Sequence, residues 1–180
     1  MTAAVDMTLF DVIADEAAAE SPLWAELLLE PSARNPELVF APLVPEEPLA
    51  LGVETIYEGY LVHYGTPRLF APYDCDTALL LGDYLYAHGL VRVAGTGNVA
   101  AVGDLAELIS LCAQLRADGR GGDGVAWAAT AALLGRDELD RPRAALRDTA
   151  DPSALEGAAR TAAGDDAVER ALATHDHRLR

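Results

Sequence analysis

Residues 54–68, Glu54-Thr-Ile-Tyr-Glu-Gly-Tyr-Leu-Val-His-Tyr-Gly-Thr-Pro-Arg68, and residues 78–87, Ala78-Leu-Leu-Leu-Gly-Asp-Tyr-Leu-Tyr-Ala87, set the fold class of this chain. Around the first run Val53, Ile56, Tyr57, Tyr60 and Leu61 recur at intervals of three and four, one broad apolar face of a helix over about 48–64. Gly65 and Pro67 end that helix. Asp74 stands where an N-cap belongs, and Leu79, Leu80, Leu81, Tyr84, Leu85, Leu90 and Val91 then predict a long helix over about 75–93. Apolar residues on most of its sides predict a central, buried position.

Working outward, the flanking segments read the same way. Thr8 with Asp11 has the form of a capping box opening a helix that runs to about Glu20. Ser21-Pro22 restarts a helix, serine as N-cap and proline in the first position, with Leu23, Leu27 and Leu28 inward. Pro31, Pro36, Pro42, Pro45 and Pro48 make residues 31–48 an extended, irregular connector with room for a short strand at Leu38–Phe40. Gly95, Gly97 and Asn98 form a turn into an amphipathic helix reaching about Ala117, with Val102, Leu105, Ile109 and Cys112 on one side.

After Gly119, Gly121 and Gly122, Asp123 caps an alanine-rich helix over Val125–Leu134. Pro142 and Asp151-Pro152 divide the remainder into shorter helices, and Ser153 with Glu156 has the capping-box form. The fold class is therefore all-α, a helical bundle with a single domain over 1–150. A short helical C-terminal segment follows over 151–180 and ends in a frayed tail. Leu80, Tyr84, Val102, Leu105 and Ile109 are the positions expected to be buried.

Composition bounds the function classes. The 180 residues are 51% hydrophobic, enough for one sizeable core, and their formal net charge is −16. All 13 basic residues are arginine. That acidity argues against nucleic acid, which is bound through clustered Lys and Arg, and against anionic membrane surfaces. No apolar run reaches membrane-spanning length, so no membrane insertion is expected. Cys75 and Cys112 have no metal-ligand spacing and read as free thiols in a reducing compartment. Residues 1–20 are acidic and lack the basic start of a signal peptide. Together these readings predict a cytoplasmic protein.

Residues 48–135 resemble the trans-isoprenyl diphosphate synthase (polyprenyl synthetase) superfamily. In that family a helix ends in the aspartate-rich motif H-D-D-x-x-D, and the next opens with a pattern like A-V-L-x-G-D-Y-L-L-A. Here Leu79-Leu-Leu-Gly-Asp-Tyr-Leu-Tyr86 follows the second pattern closely, whereas Tyr64, Gly65 and Arg68 replace the three aspartates after His63. Val125-Ala-Trp-Ala-Ala-Thr-Ala-Ala-Leu-Leu-Gly135 is similar to a later helix carrying K-T-A-x-L, without its lysine. The G-K-R-x-R-P motif and the second aspartate-rich motif are missing. The resemblance implies a truncated isoprenoid-synthase fold that has lost both metal clamps. Mg²⁺ needs hard oxygen ligands, and two carboxylates three or four residues apart on a helix supply them; Arg68 contacts phosphate but repels a cation.

Candidate site residues follow from this. His63, Tyr64, Arg68 and Tyr60 are the ligand-binding candidates, and His63 reads equally as a C-terminal histidine favoured by the helix dipole. No metal or other cofactor is expected. Were Mg²⁺ bound, the carboxylates to supply it are Asp74, Asp76 and Asp83, or Asp165, Asp166 and Glu169. The first set reads otherwise as an N-cap and a structural Gly-Asp pair, the second as acids at a helix start. His175-Asp176-His177 has side chains that could bind a metal, but the triplet falls in the last six residues, where a frayed tail is the better reading. No G-x-S-x-G, P-loop or dinucleotide fingerprint occurs.

Three functions remain open. The first is a catalytically silent synthase-like subunit in isoprenoid biosynthesis, acting as a homodimer or as a heteromer with a full-length prenyl synthase. The second is a small Mg²⁺-dependent prenyl-diphosphate enzyme with a relocated carboxylate site. The third is a helical module for an apolar or isoprenoid ligand.

Overall fold

The computed structural model describes residues 8–179, and among them nine α-helices and no β-strand occur. Helices α1 (Leu9–Glu20) and α2 (Pro22–Leu27) form where the caps predict. Thr8 Oγ1 accepts the Asp11 N–H at 3.3 Å and Asp11 Oδ2 accepts the Thr8 N–H at 3.0 Å. Ser21 Oγ accepts the Leu23 N–H at 3.2 Å, with Pro22 in the first turn. Each bond satisfies a donor that the helix itself leaves free. Helices α3 (Glu47–Tyr64), α4 (Cys75–Ala94) and α5 (Val99–Ala117) follow. Behind them come α6 (Asp123–Ala132), α7 (Asp140–Thr149), α8 (Ser153–Ala163) and α9 (Asp165–Arg178). None of these helices is long and apolar enough to cross a membrane.

The central helix is α3, not α4. Every residue from Gly52 to Val62 is buried. By contrast α4 lies at the edge, with Leu79, Leu80 and Val91 exposed. Apolar residues all round α4 describe its composition, while its neighbours decide which of them are covered. Leu105 is buried as expected, Tyr84, Val102 and Ile109 are half-buried, and Leu80 is 59% exposed.

Helices α3 and α4 make the closest pair in the bundle, and four glycines permit it. A Cβ on Gly59 would lie 2.9 Å from the Gly82 carbonyl oxygen, and one on Gly89 would lie 2.9 Å from that of Gly52. Gly52 and Gly59 on one helix, and Gly82 and Gly89 on the other, recur at seven residues, so the backbones touch along one stripe.

Two apolar cores result. The larger joins α3, α5 and α6 with Leu155, Ala159, Val168 and Ala171 of α8 and α9, so the C-terminal segment is part of the same packed body. The smaller joins Phe10 and Ile13 of α1 with Leu69, Phe70, Leu81 and Leu85.

Three further expectations are corrected. No strand forms at Leu38–Phe40; the only pairing among the described residues is one antiparallel bridge between Leu28 and Phe70. The tail is not frayed over its described length: α9 runs to Arg178, with His175 and Arg178 buried. At the start of α8 the Ser153 N–H donates to Asp151 Oδ1 at 2.9 Å in place of a capping box, because Pro152, not Ser153, occupies the cap.

Candidate functional site

Arg68 is the candidate whose placement changes the chemistry most. Its side chain is fully buried, as are those of Glu54 and Glu58 on α3. Glu54 and Glu58 are one helical turn apart and point the same way. Arg68 Nε donates to Glu58 Oε2 at 2.8 Å, and its Nη1 donates to Glu54 Oε2 and, at 3.0 Å, to the Glu37 carbonyl. The guanidinium also stacks between Phe10 and Tyr57, 4.8 and 5.0 Å from the ring centroids.

The remaining carboxylate oxygens are occupied by backbone. Glu54 Oε1 accepts the N–H groups of Val39, Phe40 and Ala41 at 3.1, 3.0 and 2.8 Å. Those bonds engage the donors that a strand at 38–40 would have needed. Glu58 Oε1 accepts the N–H groups of Arg68 and Leu69, both at 2.8 Å. Burial opposes the Arg68 charge, and the two carboxylates outweigh it, holding its pKa above the ordinary value. The residue at the third aspartate position of the resembling motif is thus a clamp tying two loops to α3, and it is closed to solvent. A buried ion cluster of this kind needs every partner in place.

Tyr60 belongs to a second buried cluster. Its hydroxyl donates to Asp123 Oδ2, at the start of α6, and accepts from Arg116 Nε of α5 at 2.9 Å. Arg116 Nη2 reaches the same carboxylate oxygen. Tyr57 OH and His175 Nδ1 are 3.0 Å apart, and His175 Nε2 lies 3.6 Å from Asp123 Oδ2. Around them Phe40, Tyr57, Tyr60, Trp127 and His175 pack ring on ring, with centroids 4.9 to 6.1 Å apart. The space between α3, α6 and α9 is filled by these rings.

Ionisation follows from the packing. Burial raises the Tyr57 and Tyr60 hydroxyls well above the usual phenol range, and the Asp123 charge pushes Tyr60 the same way. Burial also raises the Cys112 thiol. Burial works against the Asp123 carboxylate, but the nearby His175 ring, the hydrogen bond from Tyr60 and the Arg116 charge hold it well below the ordinary range. No phenolate or thiolate is available here near neutral pH, so the cluster acts as a cross-brace between α3, α5, α6 and α9.

His63 and Tyr64 end α3 on the side facing α4. His63 Nε2 is 3.3 Å from Asp83 Oδ1, and its ring packs on Tyr64 and Tyr86 with centroids 5.6 and 5.1 Å away. Burial lowers its pKa, with Asp83 offsetting part of the shift. A Cβ on Gly82 would meet the ring at 2.4 Å, so that glycine makes room for His63.

The carboxylate sets are dispersed. Asp74 Oδ1 accepts the Thr77 N–H at 2.7 Å as the α4 N-cap, Asp76 is exposed in the first turn, and Asp83 faces His63. Asp165, Asp166 and Glu169 are exposed on α9, where Asp165 lies 3.6 Å from Arg160. Among the described residues no group of three or more His, Cys, Asp or Glu side chains is close enough to hold a metal ion. The clefts are superficial; one of about 310 Å³ lies between Leu38 and Pro42 on one side and Arg170 and Thr174 on the other.

Glu54, Glu58 and Asp123 were not singled out as site residues from the sequence, and His175 was considered only within the His175-Asp176-His177 triplet of the tail. Two glutamates one turn apart on an otherwise apolar helix are the signal that points to the first pair, since buried carboxylates require a partner. Asp123 reads as a cap and His175 as tail, and nothing local distinguishes them. Comparison of the chain with family models, with curated proteins and with solved structures finds no match.

Proposed function

We propose that this protein acts by association rather than by chemistry of its own, as a catalytically silent, cytoplasmic relative of the prenyl-diphosphate synthases that partners a full-length synthase. The observation that carries the reading is the buried Glu54–Arg68–Glu58 cluster. At the place where the resembling family presents metal-binding aspartates, this chain presents an arginine turned inward and saturated by its own carboxylates. Diphosphate binding there would require breaking a fully buried ion cluster, at a cost of several kcal/mol. The aromatic packing of Tyr57, Tyr60 and Trp127 supports the same reading, because it occupies the interior that a prenyl chain would need.

The test is release of inorganic diphosphate from prenyl diphosphates with Mg²⁺, by the chain alone and with a full-length synthase from the same cells. The expected result is no release by the chain alone and a changed rate or product length for the pair. Mg²⁺-dependent release by the chain alone, abolished by Asp74→Ala or Asp83→Ala, would overturn the reading in favour of the enzyme.

A further inference from the structure

The geometry points to the cleft between residues 37–42 and α9 as a binding site for a small aliphatic carboxylate. The cleft exists because of side-chain size. Ala167, Ala171 and Thr174, spaced by four and three residues on α9, share the side that lines it. None of the three is large enough to reach the facing chain, so about 310 Å³ stays open, at the small end of ligand-pocket volumes. The other wall is apolar, with Leu38, 41% exposed, and Pro42.

Both walls are held from behind. Glu54 Oε1 binds the N–H groups of Val39, Phe40 and Ala41, which fixes the backbone that carries Leu38 and Pro42. Helix α9 is pinned by His175 against the Tyr57 hydroxyl and by the Arg178 carbonyl, which accepts the Thr66 N–H at 2.8 Å. A ligand entering between two fixed walls orders little of the protein, and that lowers the cost of binding.

Charge selects the ligand. Arg170, Thr174 and Arg178 recur every four residues, so they follow one another along one side of α9. Arg170 lines the cleft, is exposed, and forms no ion pair among the described residues. Arg178 is the second sign of a ligand. Only 7% of its side chain is exposed, yet Nε and Nη2 have no hydrogen-bond partner. The acid it faces is Glu37, at the end of the cleft, whose Oε2 is 3.6 Å from Nη2. Glu37 Oε1 is 3.5 Å from Thr174 Oγ1, beyond the usual hydrogen-bond range. The cleft thus already holds one carboxylate, half-exposed and loosely held, between a hydroxyl and a buried guanidinium. A ligand carboxylate fits beside it, accepting from Arg170 and Thr174 Oγ1, with Arg178 attracting it from behind and its aliphatic tail on Leu38, Pro42 and Ala171. An ammonium group would face Arg170, and a dianion would double the repulsion from Glu37.

The experiment is calorimetric titration of the full chain with octanoate, with octanol and octylammonium as controls, each below its micelle-forming concentration. Saturable binding of octanoate is expected, with amide shifts confined to residues 37–42 and 167–174, and none of octylammonium. Shortening the probe to hexanoate is expected to weaken binding, roughly fourfold for each methylene that is fully buried. Arg170→Gln alters an exposed position, so it is expected to keep the wild-type helical spectrum while affinity falls about two- to fivefold. Glu37→Gln is expected to tighten binding, because the ligand then supplies the counter-charge that Arg178 faces. No saturable binding of octanoate at millimolar concentration, equal binding of octylammonium, affinity independent of chain length, or affinity unchanged in Arg170→Gln or lowered in Glu37→Gln would each overturn the proposal. The silent-partner reading would survive those results, since it is read separately by diphosphate release.

Discussion

Replacing Arg68 with methionine removes the one cation of the Glu54–Arg68–Glu58 cluster while keeping most of the side-chain volume. The carboxylates do not lose everything. Glu54 Oε1 keeps its three backbone donors and Glu58 Oε1 its two. What disappears is the charge-assisted bond on each Oε2, from Nε to Glu58 and from Nη1 to Glu54. At about 1.5–3 kcal/mol for each hydrogen bond to a charged group, the loss comes to roughly 3–6 kcal/mol. Breaking one side of a buried ion pair costs a similar ~3–5 kcal/mol. For a chain of this size that lowers the thermal midpoint by roughly 6–20 °C. The assay is urea unfolding followed by circular dichroism, with the triple variant Arg68→Met, Glu54→Gln, Glu58→Gln in parallel. Removing the stranded charges is expected to return at least about 1 kcal/mol to the single variant. A single variant that loses less than ~1 kcal/mol, or a triple variant less stable than the single, would refute the account of this cluster as a closed structural clamp.

Gly59→Ala places a methyl group 2.9 Å from the Gly82 carbonyl, and the forced separation of α3 from α4 is expected to cost about 1–3 kcal/mol. Gly157→Ala, in α8 with nothing within 4 Å, is expected to stabilise by up to about 1 kcal/mol in the same thermal measurement. The Asp123 carboxyl is held below its ordinary value of 3.8, so its contribution is fully present above that pH and is lost as the pH falls through and below it. Asp123→Asn should therefore destabilise at pH 7 and flatten the decline of the urea midpoint with acid; an unchanged acid slope would contradict the assignment. Cys75 is exposed and Cys112 buried with its thiol pushed up, so a thiol reagent at neutral pH should modify one cysteine quickly and the second only on unfolding.

Much of the fold is legible locally. Thr8 with Asp11, Ser21 with Pro22, and Asp74 each supply an acceptor for backbone N–H groups a few residues away, so the starts of α1, α2 and α4 are written in adjacent residues. Gly65, Pro67 and the Gly95–Asn98 turn end helices for equally local reasons. Candidate sites are less legible. His63 and Asp83 were both singled out and do meet, yet Arg68 and Tyr60, read as facing a ligand, are saturated by buried partners. Tyr57 and His175 are 118 residues apart in sequence, and no periodicity announces their contact.

The sequence by itself determined that this chain is helical and where most of its helices begin and end, because capping and chain-breaking act over three or four residues. It also carried, unread, the seven-residue glycine repeats that let α3 and α4 touch. Only the tertiary structure decided which helix is central. Periodicity reports that a face is apolar, not what covers it, so α4 with its leucines lies outside while α3 lies inside with two glutamates. A buried charge is tolerable only beside its counter-charge. Its place is therefore settled by partners brought from elsewhere in the chain, and that is why Arg68 turned from an expected phosphate contact into the centre of a closed ion cluster.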